Sequence, residues 1–181
     1  MPQGRAAAMD RFDPVFRKYT KRYFGPAFDW RWFKAQGLAE SRLDSAARSR
    51  NGARGIMQLM PSTFEAIRSR APDLQSVDDP EMNIAAGMRH NRALWQMYPD
   101  AASLLDQRHF MFASYNAGRT TIRRAQRVAR RAALDPRLWT SIVSVAPRVY
   151  RWRQVQTLHY LRTIDMWLGK LDDRGRLAHG R

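Results

Sequence analysis

Residues 35–63 read "AQGLAESRLDSAARSRNGARGIMQLMPST". The first part continues a helical apolar spacing that starts near Trp30, with Asp29 placed to cap it and Trp30, Phe33, Gly37 and Leu38 on its packed side. From about Asp44 to Gly55 the chain turns polar and rich in Ser, Arg, Asn and Gly, a composition for a loop rather than a helix. "IMQLM" is a short apolar patch able to run extended, and Pro61-Ser62-Thr63 opens the next helix. A carboxylate, Glu40, thus stands at the end of an apolar helix, and the amide of Gln58 follows 18 residues later across a Gly-rich turn.

Two readings of Glu40 are open on spacing alone. Many glutamates near a helix end are simply solvated. The other reading starts from the lean of helical side chains toward the N-terminus, which lays this carboxylate over Gly37 and Gln36. A mid-helix glycine costs about 1 kcal/mol relative to alanine, so Gly37 signals a close approach, by a neighbouring helix or by a ligand, and leaves open space beside Glu40. Phe33 on the same face would dry the carboxyl and raise its pKa, as a general acid requires.

Outward from this stretch the spacing stays helical, with no sustained two-residue alternation. "DRFDPVFRKYTKRYFG" places Phe12, Val15, Phe16, Tyr19 and Tyr23 on one side and stops at Gly25-Pro26. Asp79-Pro80 opens a helix to about Met97, a long helix is predicted from Asp106 to about Ala133, and Asp135-Pro136 begins a short one. The last, around "VYRWRQVQTLHYLRTIDMWLGKL", carries Val155, Leu158, Leu161, Ile164 and Leu168 at helical spacing. One mainly α domain over residues 10–171 is expected, with loose ends at 1–9 and 172–181.

Composition narrows the chemistry. The 181 residues are 44% hydrophobic with six Trp, a globular composition. Without Cys there is no disulfide, thiolate metal site or Cys nucleophile. His90, His109, His159 and His179 lack metal-ligand spacing, and no phosphate loop or serine triad signature is present, so neither metal nor cofactor is expected. No run of 18 apolar residues and no signal peptide stands in the sequence. The net charge of +16 favours a polyanionic partner without naming it. Arg119, Arg123, Arg127 and Arg131 form an i, i+4 stripe, but no aromatic stacking platform or recognition motif accompanies it. A specific nucleic-acid partner is therefore not expected, and an anionic envelope surface is the easier one.

"AESRLDSAARSRNGARGIMQLMPSTF" closely resembles the first half of the soluble lytic transglycosylase domain family, lysozyme-like and helical. The matching residues are the Glu40-Ser41 pair, Ser49, Gly52 and "GIMQLMP" at 55–61. A second family motif, "ASYNAG", follows in order at 113–118. The lead-in from Phe12 also looks like that of membrane-bound lytic transglycosylases that carry this domain at their C-terminus. The resemblance implies a goose-type lysozyme-like fold with at most a small extended or hairpin segment near the site. It also implies cleavage of peptidoglycan glycan strands at the bond from N-acetylmuramic acid to N-acetylglucosamine. Glu40 would be the catalytic acid/base, with Ser49, Gln58, Met60, Tyr115 and Asn116 lining the glycan groove.

Ordinary glycosidases use two carboxyl groups about 5–9.5 Å apart, and the sequence offers no evident partner, since Asp44 reads as a local turn residue. In the family the substrate's acetamido oxygen is thought to act as internal nucleophile. Glu40 would then take the proton of the sugar's own C6 hydroxyl as a 1,6-anhydro ring closes. A lysozyme-type hydrolase with water as acceptor is the alternative. The family's third motif, a Glu-Thr pair shortly before a Tyr, has Ala146-Pro147 in its place here, with Tyr150 in the Tyr position. The resemblance further implies a monomer in the cell envelope, periplasmic or associated with the outer membrane.

Overall fold

In the computed structural model, which describes residues 9–177, the regular structure of the described chain is helical, joined by turns and loops that hold three isolated antiparallel bridges. Its contacts divide it into two units, one of the described residues through His90 together with those from Thr163, the other Asn91–Arg162. Both divisions fall inside helices.

In the first unit, Asp13 and Pro14 open α1 (Asp13–Phe24), which buries Phe16, Tyr19 and Thr20 and ends at Gly25. Asp29 accepts the Arg31 N–H at 3.0 Å and clamps its guanidinium, so the expected cap works one residue ahead of α2 (Arg31–Ser41). Phe33, Ala35 and Leu38 of α2 are buried, Phe33 in a cluster with Phe24 and Phe28. Pro61 opens α3 (Pro61–Arg68) as expected. Asp79 accepts the Met82 N–H at 2.8 Å and so caps α4 (Pro80–Trp95).

The N-terminal half of α2 holds a wholly buried Lys34. Its ammonium lies 2.6 Å from Asp13 and donates to Asp10 and to the Gly175 carbonyl, both at 2.8 Å. Burial pushes the Asp13 carboxyl above its ordinary value, and the hydrogen bond and charge of Lys34 pull the other way. The carbonyl from Gly175 corrects one expectation. Residues 172–177 form a tight turn in which Asp172 accepts the N–H groups of Arg174 and Arg176, and a bridge joins Leu171 to Leu177. Gly175, at φ +81°, lies against the Trp30 ring, and Arg31 binds the Asp172 carbonyl and the Asp173 carboxylate. The turn carries no helical periodicity because Asp172 shapes it locally and Lys34 and Arg31 of α2 hold it in place. The loose ends expected at 1–8 and 178–181 lie outside the described residues.

The second unit contains α5 (Leu104–Ala117), α6 (Arg119–Arg131), α7 (Trp139–Val145) and a single 3-10 turn at Ala146–Arg148, with the start of α8 (Gln154–Gly169). Ser103 caps α5 through the Asp106 N–H. Phe110 stacks on Tyr98 and meets the edge of Trp139, while α6 turns Ile122, Ala125 and Ala129 inward. The single long helix expected from Asp106 to Ala133 is two. Gly118 stands between them at φ +82°, and apolar residues continue at helical spacing on both sides, which hides the break. Asp135 does not start a helix. It accepts the Arg137 N–H in a turn, and α7 begins at Trp139. Val155 is 74% exposed, so the packed face of α8 starts later, at Thr157, and continues through Tyr160, Leu161 and Ile164.

Candidate active site

Glu40 occupies the last turn of α2 and is half-buried. Just beyond it the chain reverses through two consecutive left-handed residues, Arg42 at φ 58° and Leu43 at φ 63°. Such conformations cost roughly 1–3 kcal/mol each outside glycine. Burial of Leu43 offsets the strain, and Gly37 makes that burial possible. A Cβ at position 37 would come 2.8 Å from Leu43 Cδ2, 3.2 Å from Phe16 Cζ and 3.3 Å from Ile56 Cγ2. The space expected beside Gly37 is therefore filled by the protein's own core, and the neighbour reading of this glycine holds. Phe33 is likewise engaged by its aromatic neighbours, with Phe24 at 4.8 Å between ring centres.

The segment after Leu43 is a loop folded on itself. Asp44 accepts the Ala46 N–H, as its turn reading required. The Ser49 N–H donates to the Ala53 carbonyl at 2.9 Å, and the Ser49 hydroxyl accepts the Ala53 N–H at 2.9 Å. Arg54 pairs with both Arg48 and Leu59 in isolated bridges, and residues 55–58 between Arg54 and Leu59 form a turn, so "IMQLM" does not run extended as expected. Gln58 takes φ 45°, and its side-chain Nε2 donates to the carbonyls of Gly55 and Ala47 at 2.9 and 3.3 Å. Part of its hydrogen-bonding capacity thus holds the loop. Met60, 40% exposed, offers its thioether to solvent.

Two side chains fasten this loop to the helices. The Ser41 hydroxyl, next to Glu40, donates to the Ile56 carbonyl at 2.9 Å. Asn83, fully buried on α4, accepts the Met57 N–H at 2.8 Å and donates to the carbonyls of Arg54 and Val77 at 3.0 and 2.9 Å. Gly55 lies so close to that amide that a Cβ would meet its Nδ2 at 2.5 Å, and its φ of +71° also favours glycine. Sequence reading missed Asn83. The available signal was an amide inside the apolar run "MNIAAGM", since an amide on a buried helix face must find partners. The other carboxylates attached to the loop are engaged, Asp44 in its own turn and Asp78 by Arg48 and Arg54 at 3.3 and 3.0 Å.

Glu40, Ser49, Gln58 and Met60 belong to the first unit, and Tyr115, Asn116 and Tyr150 to the second. Tyr115 is half-buried near the end of α5. Asn116 Oδ1 accepts the Thr157 hydroxyl at 3.0 Å, and Thr157 accepts the Trp152 indole N–H at 3.0 Å. This relay anchors the start of α8. Tyr150 is 69% exposed, its carbonyl held by Arg124 and its ring beneath the Arg151 guanidinium. Ala146 is buried and Pro147 exposed where the third motif would place Glu-Thr. Among the described residues, no group of three His, Asp or Glu side chains could hold a metal ion.

Comparison with known proteins gives a consistent result. The model of the transglycosylase SLT domain matches residues 17–136. Membrane-bound lytic murein transglycosylase F of Desulfosudis oleivorans is 32% identical over 139 residues, covering 77% of this chain and 29% of that protein. Its counterpart in Aliivibrio fischeri is 28% identical over 152 residues, covering 84% and 29%. The chain thus spans under a third of the length of these curated relatives. The 70 kDa soluble lytic transglycosylase from Escherichia coli shares the fold, with a TM-score of 0.65 at 22% identity over 86% of this chain and 23% of that one. A 70-kDa soluble lytic transglycosylase in complex with bulgecin A gives 0.58 at 20% identity over 93% and 26%.

Proposed function

The chain belongs to the transglycosylase SLT domain family, and from that premise we propose that it is a peptidoglycan lytic transglycosylase with Glu40 as its single acid/base. The observation that carries the reading is the fastening of the "GIMQLMP" loop to the Glu40 helix end by Ser41 and to α4 by Asn83. The engagement of Asp44 and Asp78 elsewhere supports a lone carboxylate.

In the proposed reaction Glu40 gives its proton to the oxygen linking N-acetylmuramic acid to N-acetylglucosamine as the glycosidic bond breaks, and the acetamido oxygen stabilises the anomeric carbon. The resulting carboxylate removes the C6 hydroxyl proton while O6 bonds to C1, closing the anhydro ring and restoring the acid. An intramolecular hydroxyl has the advantage of effective concentration over water. Ser49, Gln58 and Met60 would contact the glycan through hydroxyl, amide and thioether, the Gln58 amide by its oxygen since its nitrogen serves the loop. Tyr115, Asn116 and Tyr150 enter the proposal through their sequence motifs alone. The names of the relatives, membrane-bound murein enzymes, support action in the cell envelope; among the described residues no helix is long and apolar enough to cross a membrane.

Replacing Glu40→Gln and following the clearing of purified peptidoglycan tests the assignment. The expected outcome is a folded protein, by circular dichroism, that no longer clears the wall. Clearing by the variant at the parent rate would contradict it.

A further inference from the structure

Within the second unit, large apolar side chains stand in water beside a concentration of arginine. Leu104 is 70% exposed and Leu105 53%, at the start of α5, and Leu134 and Leu138 are also exposed in the turn after α6. Hydrogen bonds hold the segments that carry them. The Ala102 N–H donates to the Arg137 carbonyl at 3.1 Å, the Trp139 N–H to the Asp106 carboxylate at 2.7 Å, and the Leu134 N–H to the Ala129 carbonyl at 3.0 Å. The leucines therefore share one fixed end of the unit.

The same end is cationic. Arg123, Arg130 and Arg137 line one recess there and Arg131 follows in the last turn of α6, while Asp100, Asp106 and Asp135 are the acids between Pro99 and Trp139. Asp106 is held by Ser103 and the Trp139 N–H, and Asp135 by Arg137. Arg130 and Arg131 close α6, exposed, and neither guanidinium forms an ion pair or hydrogen bond among the described residues. Arg130 and Arg137 line a small recess together with Asp100, Ala101 and Pro136, which brings the charges to the leucine-bearing segments.

We infer that this end of the second unit docks onto an anionic phospholipid surface, the leucines entering the acyl boundary and Arg130 and Arg131 meeting lipid phosphates. Each half of the patch needs a different chemistry, and a bilayer interface offers both. A nucleic acid would answer the arginines but leave the leucines in water, and a glycan strand has no acyl region to receive them. Guanidinium groups suit the task because their planar donors grip phosphate oxygens two at a time.

Vesicle flotation with the full chain tests this, using phosphatidylcholine alone and phosphatidylcholine mixed with phosphatidylglycerol. Binding to the anionic vesicles and not to the neutral ones is expected. Leu104→Ser with Leu105→Ser should weaken it about tenfold or more, and Arg130→Glu with Arg131→Glu by a similar factor. A Leu105→Cys protein labelled with an environment-sensitive dye reads insertion directly, the chain having no other Cys; a blue shift on anionic vesicles is expected. Binding that ignores the leucine changes, a dye that stays in water, or displacement of vesicles by duplex DNA at physiological salt would each overturn the inference. Cleavage of solubilised glycan strands is read separately in the same proteins and should be unchanged, so a failed docking result leaves the enzyme assignment standing, and a failed cleavage result leaves docking testable.

Discussion

The two ends of α2 treat charge in opposite ways. At the N-terminal half Lys34 is fully buried and met by two carboxylates and a carbonyl, so its charge is compensated within the protein. At the C-terminal end Glu40 is only half-buried, and Ser41 beside it ties the helix end to the neighbouring loop. One end of an eleven-residue helix holds charge for the fold; the other carries the carboxylate proposed as the acid/base. Burial alone would not have picked out the proposed residue. The most buried ionisable group of α2 is Lys34, and its surroundings leave nothing for a substrate to do.

The contrast is broken most severely by Glu40→Gln, which should lower the rate of wall cleavage by about 100- to 10,000-fold with the melting temperature nearly unchanged. Lys34→Ala should do the reverse. It leaves Asp10 and Asp13 unpaired and opens a cavity, costing about 3–5 kcal/mol in urea unfolding, while the protein that remains folded keeps its specific activity. Asn83→Ala links the two kinds of effect: it strands the Met57 N–H and two carbonyls, so a loss of about 2–3 kcal/mol should come with a clear fall in cleavage rate. Ser41→Ala removes one hydrogen bond and should cost about 1 kcal/mol, with a rate reduction that an equally destabilising change far from the loop does not produce.

The smallest effect concerns Asp13. Its carboxyl titrates above the ordinary Asp value, so in that window the folded chain holds a proton that the unfolded chain has released. Stability then falls as pH rises from the ordinary value through the raised one, and Asp13→Asn should remove that slope in denaturation curves taken across the acidic range.

Much of this was legible in the sequence, and the gaps have physical causes. Helix starts at Pro61 and Asp79-Pro80 were readable because Pro and a capping carboxylate act within one turn. The end of α2 was readable as an unravelling, but not its cause, since Gly37 answers to Leu43 and Ile56 through three-dimensional packing. Gly118 broke a helix that apolar periodicity carried straight through. The turn at 172–177 is held by Arg31 and Lys34, more than 130 residues earlier, a separation no local pattern reports. Glu40 was found through motif resemblance, and Asn83, which fixes the loop next to it, had no motif to announce it.

The most direct test of the central claim is mass spectrometry of the products formed from purified peptidoglycan in water labelled with heavy oxygen. A lone Glu40 that directs the sugar's own hydroxyl predicts anhydromuramoyl ends, lighter than hydrolysed ends by one water and free of label. Reducing ends carrying the heavy oxygen as the main product would show that water is the acceptor and contradict the account.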